Sequence, residues 1–134
     1  MGKFVISGGS VTIPRVHSKA LVGIPSKFRV ETMPIEAGAR LGDSTGKVKK
    51  VDEVFIRFFN TIGAKYGCPQ TNEYYDIPFR NDTEPMNEPT TPKTMDISLK
   101  FPHGYSKIAT VVVESDYPFP CNVLGIGVQG VTNE

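Results

Sequence analysis

Alternation of apolar and charged side chains is clearest in residues 27–34. Phe28, Val30 and Thr32 share one face of an extended chain, and the positions between them are charged. This period of two is typical of a half-buried β-strand. The stretch therefore predicts one strand with an apolar face turned toward a core.

Shorter alternating or apolar stretches recur along the chain. They predict further strands in residues 11–13, 19–22, 95–101, 108–113 and 123–131, and residues 64–66 could pair back on the strand before them. The apolar run 108–113 fits the centre of a sheet. Residues 74–79 are also apolar, but Pro78 predicts an edge position because proline cannot donate to a ladder.

Residues 48–59 fit two periodicities. The apolar positions at helical spacing are Val48, Val51, Val54, Phe55, Phe58, Phe59 and Ile62. Val54, Ile56 and Phe58 also alternate, and the run is rich in β-branched and aromatic residues. Because the surrounding segments predict strands, we interpret this one as a strand. Val54, Ile56 and Phe58 then face the core, whereas Glu53 and Arg57 do not.

Composition supports an all-β chain. Thirteen glycines and eleven prolines among 134 residues exceed the usual share, so the chain turns often. The sequence shows no internal repeat and no helical connectors. We predict a single domain over residues 1–134 that forms an antiparallel β-sandwich of about eight or nine short strands.

Two segments are predicted to be surface loops. Residues 36–50 contain three glycines and then Lys47, Lys49 and Lys50, which indicates a solvated loop. Residues 81–92 contain three prolines among polar residues, and this stretch is longer than a simple hairpin needs. The second loop is the segment that we expect to contact a partner.

The residues of chemical interest do not form a recognisable catalytic or metal-binding pattern. His17 and His103 have no companion at metal-ligand spacing, and the carboxylates of residues 82–88 and 114–116 are typical of solvated loops. Cys68 and Cys121 are expected to be reduced thiols, with one disulfide as the alternative. We therefore assign no catalytic, cofactor-binding or metal-ligating residue and expect no enzyme.

Net charge and hydropathy limit the kinds of partner that the chain is expected to bind. The formal charge of +1 creates no field that would draw the whole chain to nucleic acid or anionic lipid. No apolar stretch approaches the length that crosses a bilayer, so no membrane association is expected.

Four stretches in a fixed order resemble a known family. They are GSVTIP at 9–14, ALVGIPSKF at 20–28 continuing to TMP at 32–34, GKVKKV at 46–51 through RFFNTIG at 57–63, and SDYPFPCNVLGI at 115–126. This order is similar to the C-terminal portion of the tail tubular (nozzle-type, head-to-tail stabilising) proteins of short-tailed bacteriophages. Those proteins are several times longer. Departures from their usual pattern are Ile24 in place of leucine, Asn60 and Ile62 in a D-T-L-G motif, and Cys121-Asn122 after the double proline.

The resemblance implies a structural role without catalysis. It implies a module in a homo-oligomeric ring of the virion tail, assembled in the host cytoplasm and bound to other tail subunits. Contact of residues 47–50 with DNA in the channel is a further possibility that the resemblance raises. The isolated chain is expected to be soluble and at most weakly associated.

A different class of function stays open from the residues alone. A β-sandwich could bind carbohydrate or a host receptor, with Tyr66, Tyr74, Tyr75 and Tyr105 as stacking faces. The chain has no tryptophan, the residue on which sugar platforms most often rely.

Overall fold

The computed structural model describes residues 3–36 and 42–133. Its strands are β1 (Phe28–Glu31), β2 (Lys49–Thr61), β3 (Lys65–Cys68), β4 (Glu73–Asp76), β5 (Lys93–Lys100), β6 (Val112–Ser115) and β7 (Val123–Thr132). The described residues contain no helix, so none of them forms a membrane-spanning helix.

The strands form two antiparallel sheets. One sheet has four strands in the order β1-β6-β3-β4, and the other has three in the order β5-β2-β7. Their facing sides enclose one cluster of buried apolar residues. The predicted all-β antiparallel sandwich is confirmed, with seven strands in the described residues where about eight or nine were expected.

The central strand β2 resolves the ambiguity between helix and strand. Val54, Ile56 and Phe58 are 0%, 1% and 0% exposed, whereas Phe55 and Arg57 between them are exposed. Pairing with β5 on one side and β7 on the other satisfies the backbone of this strand. The strand interpretation of residues 48–59 and the predicted core face are therefore confirmed.

Contacts from both sheets hold the sandwich together. The ring of Phe58 in β2 meets that of Phe79 edge-on at 5.1 Å between centroids. The Tyr66 hydroxyl in β3 donates a hydrogen bond of 2.9 Å to the carbonyl oxygen of Lys100 in β5. This bond joins the two sheets and satisfies a polar group that is largely buried.

The return of the chain after β2 differs from the expectation. Residues 64–66 were expected to pair back on the preceding strand, but β3 crosses to the other sheet and pairs with β4 and β6. Asn60, with φ of 47°, lies at the end of β2 where the chain turns. At Gly67, a Cβ would collide with the carbonyl oxygen of Glu73, so β3 and β4 approach closely because that residue is glycine.

The expected strands in residues 11–13 and 19–22 are absent. Neither segment has regular secondary structure, and neither pairs with a strand of the described chain. A strand needs a ladder partner to satisfy its backbone, and an alternating pattern does not reveal whether one is present.

The remaining strand predictions hold with changed limits. β6 lies between β1 and β3, at the centre of its sheet as predicted, but it begins at Val112 and leaves Ile108 exposed. The residues before β6 form isolated backbone hydrogen bonds instead of a regular ladder. The amides of Thr32 and Ile35 donate to the carbonyl oxygens of Val111 and Ala109. β4 is an edge strand, as Pro78 indicated.

Replacing Ile56 by Asp should unfold the protein. The new carboxylate would lie in the core without a partner, at a cost of about 3–5 kcal/mol or more. A domain of this kind has only ~5–15 kcal/mol of stability. Urea unfolding followed by circular dichroism measures the loss.

The matched control is Glu53→Ala in the same strand. Glu53 lies on the outer side of β2 and is half-buried, so its removal should change the free energy of unfolding little. A cooperative transition of Ile56→Asp near that of the wild type would contradict this description of the core.

Candidate functional site

The residues with catalytic or metal-binding chemistry are dispersed. His17 is exposed in the N-terminal segment, and His103 lies half-buried beside the ring of Phe101. Over residues 3–36 and 42–133, no group of three or more His, Cys, Asp or Glu side chains could hold a metal ion.

The two cysteines are free thiols in different surroundings. Cys68 is buried in β3, where its thiol donates to the side-chain oxygen of Gln70 at 2.7 Å. Cys121 is half-buried in the connection that precedes β7, and burial raises the pKa of its thiol. A raised pKa makes the reactive thiolate scarcer at neutral pH.

The solvated loop predicted for residues 36–50, running into the next element, is correct only in part: residues 42–48 belong to no strand of the two sheets, but the chain is already in β2 at residue 49. Lys49 and Lys50 open β2, while residues 37–41 lie outside the described part of the chain. The Lys49 side chain is only 5% exposed. Its ammonium donates to the carbonyl oxygen of Ile35 at 2.7 Å and pairs with Glu36 at 2.9 Å.

These pairings leave little free positive charge for a phosphate. Lys50 forms a 3.0 Å ion pair with Asp52, and the hydrogen bond with Asp52 raises the pKa of Lys50. The hydrogen bond from Lys49 likewise lowers the pKa of Glu36. These contacts attach Ile35 and Glu36 to β2, and neither Lys49 nor Lys50 presents a free ammonium group.

The four tyrosines do not form one stacking platform. Tyr66 is buried between the sheets and its hydroxyl is engaged, so it is unavailable to a ligand. Tyr75 and Tyr105 are exposed, and the hydroxyl of Tyr74 accepts a hydrogen bond from Arg29. Glycan or receptor binding stays a prediction, with Tyr75 and Tyr105 as its accessible rings.

The loop of residues 81–92 is held in place by charged side chains at its base. Arg80 donates to the hydroxyl of Thr90 at 3.3 Å and to the carbonyl oxygen of Glu88. Lys93 pairs with Glu84, and its hydrogen bond lowers the pKa of that carboxyl. These contacts therefore hold the loop in one conformation, and Met86 is a largely exposed apolar side chain within it.

The main exposed apolar surface lies in residues 3–27, which we call the arm. The arm forms no strand, and its large apolar side chains are exposed: Phe4, Val5, Ile6, Ile13, Val16, Leu21, Val22 and Ile24. Leu21 and Val22 are 70% and 77% exposed. Eight exposed large apolar side chains in one segment of 25 residues indicate a surface that binds something.

Two of the contacts between the arm and the body lie near the connection between β6 and β7. Lys3 forms a 2.6 Å ion pair with Asp116, which raises the pKa of Lys3 and lowers that of Asp116. Gly23 lies so close to Pro118 that a Cβ would come within 2.6 Å of the proline ring. Between these contacts the arm reverses at Gly8 and Gly9, both with positive φ, inside paired hydrogen bonds of Ser7 and Ser10.

A second apolar surface lies on the outer face of the three-stranded sheet. An open groove runs over Gly125 and Gly127 of β7, flanked by the exposed side chains of Phe55 and Leu124. Arg57 and Asp96 border it through two hydrogen bonds of 2.8 Å, which lower the pKa of Asp96. The glycines leave the backbone of β7 uncovered on this face.

The sequence patterns indicated no site residue, and they concealed the arm because residues 11–13 and 19–22 resemble strands of the domain. One signal was present in the sequence. The first 30 residues contain five basic side chains and no acidic one, while all 14 acidic residues begin at Glu31. Such a division of charge indicates a segment that differs from the body.

Comparison of the chain with known protein families found no match, and comparison with curated proteins found no significantly similar one. Function must therefore be argued from the surfaces themselves.

Replacing Glu36 by Gln should lower stability near neutral pH more than replacing Asp96 by Asn. The partner of Glu36 is the buried Lys49, whereas Arg57 and Asp96 are 64% and 63% exposed and their pair is screened by water. The folded-state pKa of Glu36 is below its ordinary 4.5, so its stabilising effect is present above that pH. It is lost as the pH falls through the lowered value.

Urea unfolding across acidic pH tests both statements. The difference between the wild type and Glu36→Gln should shrink as the pH falls below 4.5. A difference that stays constant with pH, or a larger effect of Asp96→Asn, would show that the Lys49 pair is not the relevant interaction.

Proposed function

We propose that the chain is a non-catalytic structural module of a bacteriophage tail that acts through protein–protein contacts. The observation that carries the proposal is the arm, whose apolar side chains have no place in the core of their own sandwich. An exposed apolar segment of this length fits a subunit that is completed by its neighbours. The phage-tail setting rests on the order of the four sequence motifs.

The arm offers enough apolar surface to drive association. Burial of a Leu, Val or Ile side chain contributes about 1.5–3 kcal/mol when it is complete. Leu21, Val22 and Ile24 are each at least 70% exposed. Their burial against a neighbour would offset part of the entropy that is lost when the arm becomes fixed.

The positions of the four motifs support the tail assignment. The first lies in the arm, the second runs from the arm past β1, the third contains most of β2, and the fourth joins β6 to β7. Gly23 of the second motif meets Pro118 of the fourth where the arm leaves the body. The stretches that resemble the nozzle-type proteins therefore include the strand that organises the core and the attachment of the arm.

Protein neighbours fit the surfaces better than DNA does. Lys49 and Lys50 are paired with carboxylates, so contact of residues 47–50 with DNA has little support from the geometry. We place the module in a homo-oligomeric ring of the virion tail, in contact with other tail subunits.

Labelling of virions tests the proposed location. In negative-stain images, an antibody raised against this chain should decorate the tails of particles from the phage that encodes it. Signal confined to the host cytosol, with undecorated particles, would contradict the proposal.

Replacing Leu21 and Val22 together by Ser should leave folding intact and reduce incorporation into particles. Both side chains are exposed, so the midpoint of thermal unfolding should change little, while the apolar contact with a neighbour is lost. The amount of the chain in purified particles, relative to the major capsid protein, is the measurement.

The matched control replaces Met33 and Ile108 by Ser. These side chains are also exposed, but they lie outside the arm. Equal incorporation of both double variants would reject the arm as the assembly element.

The loop of residues 81–92 is the second candidate contact. Shortening it to a Gly-Ser turn should leave the sandwich folded, because the loop contributes no strand. If the loop meets a neighbour, the shortened chain should be incorporated less. Normal incorporation would leave the arm as the candidate contact.

A further inference from the structure

The four edge strands of the sandwich differ in how well they are protected against pairing. β1 and β4 have four residues each, and both carry charged side chains. β5 carries Lys93, Asp96 and Lys100. β7 has ten residues without a charge or a proline. Short length and charge normally prevent an edge from accepting another strand, so β7 is the least protected edge.

The usable part of β7 lies between two irregularities. The register with β2 shifts between Val51 and Glu53 and again between Arg57 and Phe58. Residues 125–129 between these shifts pair in unbroken register with residues 53–57. This stretch includes Gly125 and Gly127, which leave the outer face of β7 beside this edge without side chains.

Residues 19–22 of the arm have the properties of a missing strand. Their sequence predicts a strand, yet they pair with no strand of the described chain, and Leu21 and Val22 are exposed. Four residues fit within the five-residue regular stretch of β7. When an extended segment joins a free edge, its backbone groups that face the edge form main-chain hydrogen bonds with it.

Charge favours a second copy of this chain as the partner. The arm carries four basic side chains, of which Lys3 is paired with Asp116 of its own body, and no acidic one, while the rest of the chain carries 14 acidic against 11 basic. Two arms therefore repel one another, while an arm and the body of another copy attract. The contact favoured by charge joins an arm to a body.

Building on the proposed function, we propose that residues 19–22 of one copy add as a strand to the free edge of β7 in a second copy. Such a contact uses two different surfaces and is therefore head-to-tail. Head-to-tail contacts close into a ring when the rotation between neighbours permits it. The pairing thus gives the proposed homo-oligomeric ring a specific donor and a specific acceptor.

Two lysine variants disable the two sides separately. Leu21→Lys adds charge to the donor segment. Gly127→Lys places a lysine on the acceptor strand, where it repels the basic arm and makes the edge unfavourable for strand pairing. The Cβ of residue 127 would make only an ordinary contact of 3.6 Å with Phe55, so the fold should tolerate it. If circular dichroism shows that Gly127→Lys is unfolded, Gly125→Lys replaces it, since nothing lies within 4 Å of that Cβ.

Each variant has a matched control. Ser98 and Gly127 are the two cross-strand neighbours of Phe55, so Ser98→Lys adds the same charge on the same face beside the opposite edge. Val16→Lys adds the same charge to a fully exposed position of the arm outside residues 19–22. Sedimentation velocity of the full chain over a concentration series gives the association constant of each variant.

We expect weak, concentration-dependent association of the wild type. Leu21→Lys and Gly127→Lys should each weaken it about tenfold or more, and the controls should stay within about twofold of the wild type. An equimolar mixture of the two disabled variants should form 1:1 dimers that grow no further, because one partner keeps its arm and the other keeps its edge.

Three outcomes would overturn the pairing: a wild type that is monomeric at every concentration, a mixture that stays monomeric, or equal effects of Gly127→Lys and Ser98→Lys. A monomeric wild type whose antibody still decorates phage tails would overturn this pairing alone. The proposed function would then stand with a different subunit as the partner.

Discussion

Burial of the inner face of β2 is the interaction on which the rest of the structure depends. Val54, Ile56 and Phe58 leave water completely, and each contributes about 1.5–3 kcal/mol. A single sheet cannot cover these side chains, so the four-stranded sheet must pack over them. The hydrogen bond from Tyr66 to Lys100 then links the sheets at a fixed position.

Completion of this core explains why the arm is exposed. The buried cluster draws its members from residues 51–113, with partly buried neighbours between Ile35 and Val128, and it contains no residue of the arm. The sandwich therefore completes its core without the apolar side chains of residues 3–27. Their presence is a cost in water unless another surface covers them, which is why we assign the arm to assembly.

The division of charge strengthens this view of the arm. Basic residues without acidic ones near the N-terminus make the arm repel copies of itself, and the acidic excess of the remaining chain favours contact with a body. The uncharged edge of β7 gives such a contact a place where backbone groups are free. Apolar burial would supply affinity, and strand pairing would supply register.

Periodicity predicted the sandwich well where strands have a buried face. The alternation of Val54, Ile56 and Phe58 placed β2 correctly, because burial on one side imposes a period of two. The same reasoning failed for residues 19–22, since an alternating pattern does not say which chain supplies the partner strand.

Burial of Lys49 could not be predicted for a related reason. A lysine beside glycines normally indicates a solvated loop, but here Glu36 and the carbonyl oxygen of Ile35 satisfy its ammonium. These partners lie more than ten residues away in the sequence, and no local pattern records the contact. The role of the arm could not be predicted from a local pattern either, because its proposed partner lies in another chain.

Hydrogen exchange of the arm amides tests the central claim most directly. In the free chain, the amides of residues 19–22 should exchange at the rate of an unstructured peptide, while those of residues 54–58 in β2 exchange slowly. In the assembled tail, the amides of residues 19–22 should become protected as well. Strong protection of these amides in the free monomer would contradict the account, because it would show that the arm already has its partner within its own chain.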